Sequence, residues 1–214
     1  MDYPDRHWHH RLGCGPSLIL NTSKLQLATM NRAAPGLLLL LFLGRFIQPA
    51  PQEKAGVWLD VPFVKQSEDG CGSAAISMLL QYWSAQGVRM DQQRADAALI
   101  QKQLYSPKAR GIYASDMEGY LKKSGFRVFL LDGEWKDLEE QLKQGRPLIV
   151  SLQPGSVKAP LHYVVITGID WQSGAVFMND PARGKLLRTE RAEFEKEWRP
   201  NRNWMLLAVP QKAA

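Results

Sequence analysis

Gln66-Ser67-Glu68-Asp69-Gly70-Cys71-Gly72-Ser73-Ala74 is the stretch on which the reading of this chain turns. Polar and turn-forming residues give way at Cys71 to a run in which Ala74, Ala75, Met78, Leu79, Tyr82 and Trp83 recur at helical spacing. A loop therefore passes into an amphipathic helix at the cysteine. Gly70 and Gly72 leave the sulfur uncrowded, and the helix N-terminus sets partial positive charge beside it. Such surroundings favour the thiolate, the nucleophilic form of cysteine. The competing reading is a cysteine packed as a small apolar side chain. The glycine flanks weigh against it.

Outward from this stretch, Val61-Pro62-Phe63-Val64 leads into the loop. Downstream, helices are expected over residues 91–104, over 115–123 with Ser115 as cap and Glu118 three later, and over 134–143, closed by Gly145. Residues 126–131 alternate and are rich in strand formers. The second half changes period: residues 147–152, 162–169, 175–178, 185–188 and 204–209 read as strands, with one short acidic helix near 190–198. Helices first and sheet second predict an α+β domain with N-terminal helices packed on a C-terminal antiparallel sheet.

Composition narrows the function. A chain of 214 residues is one domain, or one domain plus a tail. Of the formal charge of +6, half belongs to the first fifty residues, where Arg6, Arg11, Lys24, Arg32 and Arg45 face only Asp2 and Asp5. The remainder is too nearly balanced for a nucleic-acid footprint. Two cysteines exclude a disulfide scaffold. From residue 51 onward Cys71 and His162 are the only cysteine and histidine, too few for a structural zinc site, which takes about four ligands. They suffice for a nucleophile and its base, and no cofactor is expected.

Residues 1–50 read as a leader and 51–214 as the domain. Residues 33–44 are an apolar run behind Arg32, the length of a signal-peptide core and short of the ~20 residues of a membrane span. Met30 stands where an initiator belongs. Export, to the periplasm or outside the cell, is the expectation, with membrane association through 33–44 if the segment is retained. Removal of the leader also removes Cys14, which leaves Cys71 as an unpaired thiol in an oxidising compartment.

His162 opens an otherwise apolar strand, and Asp180 closes the next one in Asn179-Asp180-Pro181. Adjacent antiparallel strands bring both to the same end of a hairpin, where a carboxylate orients an imidazole and stabilises its charged form. The order Cys–His–Asp, the Gln66-x4-Cys71-Gly72-x-Ala74 block, the helix carrying Met78 and Tyr82-Trp83, and the Asn-Asp-Pro turn together resemble the C39-type cysteine peptidases. These are papain-like domains that cleave leader peptides after a double glycine. The resemblance spans roughly residues 57–210. It implies a papain-like fold with Cys71 as nucleophile, His162 as base and acid, and Asp180 as its orienter. It also implies Gln66 as an oxyanion donor with the Cys71 backbone N–H. The substrate it implies is a peptide or protein, with a separate export transporter as a partner.

Two departures stand out. Many leader-processing members carry aspartate directly before the cysteine, whereas here Gly70 intervenes and Asp69 lies one residue earlier. The sequence also holds no Gly-x4-Gly-Lys-Ser/Thr loop of the ATPases to which such domains are fused. A non-catalytic module that docks a secretion substrate, and a papain-like amidase or acyl transferase, are the alternative functions. Trp83, Trp135, Trp198 and Trp204 lie in or beside periodic elements and are expected in the core.

Overall fold

The computed structural model describes residues 55–155 and 161–211. The order of elements is β1 (Gly56–Trp58), α1 (Cys71–Ala85), α2 (Ala97–Leu104), α3 (Ala114–Lys123), β2 (Phe126–Asp132), α4 (Trp135–Lys143), β3 (Leu148–Leu152), β4 (His162–Asp170), β5 (Ala175–Asp180), β6 (Gly184–Glu190), α5 (Arg191–Trp198) and β7 (Trp204–Pro210). The leader expected over residues 1–50, its apolar run included, lies outside the described residues. Among the described residues no helix is long and apolar enough to cross a membrane.

The strands form one antiparallel sheet in the order β2-β7-β3-β4-β5-β6. Strand β1 pairs with the far half of β4, Trp58 opposite Gly168, on the edge where β3 has ended. The α+β reading holds, with helices on both faces. On one face, Ile76 and Leu79 of α1 and Leu121 of α3 pack with Phe126, Ile149, Val165 and Leu206. On the other, Leu138 of α4 and Phe194 and Trp198 of α5 pack with Val150, Val164 and Ile166. Alternation along β3 and the first half of β4 distributes each strand between the two cores, up to an irregularity in register between Ile166 and Gly168. Trp198 is fully buried and Trp135 nearly so. Trp83 donates its indole N–H to the Ala208 carbonyl, 3.1 Å away.

Three local expectations need correction. The helix expected over 91–104 is broken into a 3-10 turn at Gln92–Ala95 and the helix α2. Asp96 stands extended between them and accepts the Leu99 N–H at 2.9 Å, because a short carboxylate satisfies a helix start better than it continues a helix. Ser115 lies inside α3 and does not cap it. The N-cap is Tyr113, without a side-chain hydrogen bond. Strand β1 was not expected, its three residues being too few for a periodic signal.

Candidate active site

Cys71 is the first residue of α1, half-buried, with Gly70 as N-cap. The loop before it is built of close approaches. Asp69 takes φ 51°, and Gly70 donates its N–H to the Ser67 carbonyl at 3.1 Å. A Cβ on Gly70 would lie 2.7 Å from Ser67 Oγ and 3.1 Å from Ser67 backbone atoms, so a side chain there would crowd the turn. A Cβ on Gly72 would meet Ile112 at 3.2 Å. The uncrowded surroundings read from the glycine flanks are thus close backbone packing on one side and open cleft on the other.

The sheet supplies the second half. Strands β4 and β5 pair antiparallel with Val165 opposite Asn179, which carries His162 and Asp180 to the same rim. His162 Nε2 and Asp180 Oδ1 are 2.7 Å apart. The imidazole side chain is 18% exposed and the carboxylate 5%. Cys71 also acts on the ring, and with Nε2 taken by Asp180, Nδ1 is the nitrogen left to face the sulfur. Burial pushes the His162 pKa down, but hydrogen bonds to Asp180 and Cys71 and their negative charge outweigh it and raise it to about 9. Burial pushes Asp180 up, yet the bond and charge of His162, with backbone N–H groups of Ala182 and Arg183, hold it below the ordinary carboxylate value.

The two halves are joined by hydrogen bonds to the main chain. The Gln66 N–H donates to the Pro181 carbonyl at 3.0 Å, directly after Asp180. Asn179, fully buried, donates through Nδ2 to the Val61 carbonyl and accepts the Leu186 N–H through Oδ1, each at 3.0 Å. Sequence reasoning quoted Asn179 only as part of a turn. Its role rests on contacts with residues far along the chain.

All four predicted site residues, Gln66, Cys71, His162 and Asp180, line one cavity of about 460 Å³. Gln66 Oε1 is buried without a hydrogen-bond partner. The cavity continues over Leu152, Leu161, Met178 and Phe194 to Glu193 and Glu197 of α5, residues that no motif had singled out. Tyr163, on the opposite face of β4, stacks near Trp204 at 5.5 Å between ring centroids. Burial, with the charge of Cys71, pushes its hydroxyl up to about 12. Among the described residues no three His, Cys, Asp or Glu side chains gather as a metal site.

In chemical terms, a thiol at a helix N-terminus shares a cleft with an imidazole whose far nitrogen is fixed by a buried carboxylate. That arrangement can keep a proton on imidazole next to sulfur and return it to a departing atom.

Comparison with known proteins bears on the family and the fold. The model of the Peptidase_C39 like family matches residues 58–204. The fold is similar to the peptidase domain of Streptococcus ComA, a bifunctional ABC transporter of a quorum-sensing pathway, at 22% identity and TM-score 0.55, covering 70% of this chain and 98% of that one. It is similar to a C39-like protein from Bacillus anthracis at 18% identity and TM-score 0.58, covering 75% and 100%. A double glycine motif protease from an AMS/PCAT transporter, solved with its leader peptide, matches at 18% identity and TM-score 0.52, covering 72% and 95%. No curated protein matches the chain.

Proposed function

The chain belongs to the Peptidase_C39 like family, and from that premise we propose that it is a cysteine peptidase working through Cys71, His162 and Asp180. The observation that carries the reading is the ring of His162, held by Asp180 at 2.7 Å through Nε2 in the same cavity that Cys71 lines. With His162 raised to about 9, the imidazolium persists at neutral pH beside the Cys71 sulfur.

The proton of the Cys71 thiol resides on His162. The thiolate sulfur attacks the peptide carbonyl, forming the C–S bond and an oxyanion. The Gln66 side-chain amide and the Cys71 N–H, one of the N–H groups a helix start leaves without an intrahelical partner, donate to that oxyanion. Collapse breaks the C–N bond as His162 gives its proton to the amine. Water then hydrolyses the thioester, with His162 accepting its proton and the thiol leaving restored. Asp180 holds the ring oriented throughout.

The proposed substrate is an extended peptide cut after two small residues, as the double glycine motif protease among the similar structures suggests. We place the protein outside the cytoplasm, delivered by residues 33–44 from a start at Met30, with a separate export transporter as partner.

The test is the pH dependence of Cys71 alkylation by iodoacetamide in the full-length chain carrying Cys14→Ser, with and without His162→Ala. The expected result is fast labelling at neutral pH that His162→Ala slows. A slow thiol indifferent to His162 would instead favour a module that binds peptides without cutting them.

A further inference from the structure

The cleft does not end at the thiol. Helix α5 forms its far wall, with Phe194 and Trp198 buried beneath and Glu193 and Glu197, four residues apart on one stripe, turned to the cavity. The acidic residues of this region have different fates. Glu195 pairs with Arg191 at 2.7 Å and with Arg199 at 3.9 Å. Glu190 pairs with Arg188, and Glu193 reaches Lys196 at 3.6 Å. No ion pair involves Glu197 among the described residues, although it is only partly exposed and lies in the wall of the cavity. Its position is fixed, since its carbonyl accepts the Gln153 N–H at 2.8 Å and ties the end of α5 to the chain leaving β3.

A carboxylate kept half out of water with no cation beside it costs free energy that a positively charged ligand recovers. The cavity that it shares with the thiol is also lined by the apolar Leu152 and Phe194. Two arginines also border the cavity. Arg110 is occupied by Asp69 at 3.4 Å, and Arg183 stands in the turn after Asp180. No ion pair joins either to Glu197.

We infer that Glu197 is a specificity-determining residue, and that the substrate carries a lysine or arginine side chain which crosses the apolar lining and ends on its carboxylate. The long aliphatic stems of those side chains suit that path, with only the tip charged. Glu193 lies one turn away and adds to the same field. This assignment rests on the thiol-peptidase reading and deepens it by naming the class of substrate.

Inactivation of Cys71 by peptidyl chloromethyl ketones tests it without need of the natural substrate. In the full-length chain carrying Cys14→Ser, reagents ending in glycine carry Lys, Gln or Glu in turn at each of the three preceding positions, and iodoacetamide reports the thiol alone. At one position the lysine reagent should react roughly two- to fivefold faster than the glutamine reagent, the scale of one partly screened ion pair. In Glu197→Gln that ratio should fall to about one. A ratio near one at every position, or one that survives Glu197→Gln, overturns the assignment while leaving the peptidase reading intact if iodoacetamide still labels in a His162-dependent way. Preference for the glutamate reagent would assign the wall to Arg183 and overturn it equally. Failure of iodoacetamide to label Cys71 rapidly defeats the peptidase reading, and this inference with it.

Discussion

The wall that carries Cys71 and the wall that carries His162 and Asp180 meet across one cleft but are made by different means. The first is irregular backbone: a left-handed Asp69, a turn with little room for a side chain at Gly70, and a helix that starts where the loop runs out. The second is a regular product of sheet register, in which pairing Val165 with Asn179 brings the imidazole and the carboxylate to one rim. The first wall is sensitive to added volume and the second to changes in pairing. The difference teaches that the nucleophile is placed by exclusion and the base by alignment. The two are joined by a few hydrogen bonds, chiefly Gln66 N–H to the Pro181 carbonyl and Asn179 Nδ2 to the Val61 carbonyl.

The largest expected effect removes the first wall's reactive atom. Cys71→Ala should abolish peptide turnover while circular dichroism and the unfolding midpoint stay close to wild type, because the side chain is small and half-buried. Turnover that persists would locate the chemistry elsewhere. Next is the oxyanion donor on the same wall. Gln66→Ala should lower kcat by ~10²–10³ with less change in KM, the usual loss for one such donor. An effect on KM alone would make Gln66 a substrate contact.

The seam between the walls gives a smaller effect of another kind. Asn179→Ala removes the partners of the Val61 carbonyl and the Leu186 N–H in a fully buried place. The expected loss is about 1–3 kcal/mol of stability, measured by denaturant unfolding. If the two walls depend on this seam, activity should fall at temperatures where the variant is still folded. Unchanged activity there would show that the Gln66–Pro181 bond suffices.

How much could be read from sequence follows the same division. The helix beginning at Cys71 and the hairpin uniting His162 with Asp180 were legible, because period and strand order are local properties. The break at Asp96 was not, since a carboxylate able to cap competes with a helical pattern that tolerates it. Nor was the far wall: Leu152, Phe194 and Glu197 come from separate elements, and only packing of α5 against the sheet assembles them. Asn179 had a legible turn context, but its buried role depends on Val61, 118 residues earlier.

The finest distinction between the walls concerns pH. His162 is raised to about 9, so its pairing stabilises the fold fully below its ordinary 6.5, and that contribution is lost as pH rises through about 9. Asp180 is lowered, so its contribution is present above its ordinary 3.8 and lost as pH falls through the depressed value. Both belong to one hydrogen bond, so Asp180→Asn should remove both together. The asparagine oxygen can still accept the Ala182 and Arg183 N–H groups, which keeps the turn. Wild type should therefore exceed the variant in stability most between about pH 4 and 6.5, and the gap should close above about 9. In the same variant the rate of Cys71 alkylation should slow without vanishing, and its alkaline limb should move to lower pH as His162 loses the carboxylate that holds its proton. A stability gap that stays constant across this range would mean that Asp180 serves the turn alone. The alignment of β4 and β5 would then place the imidazole without tuning it.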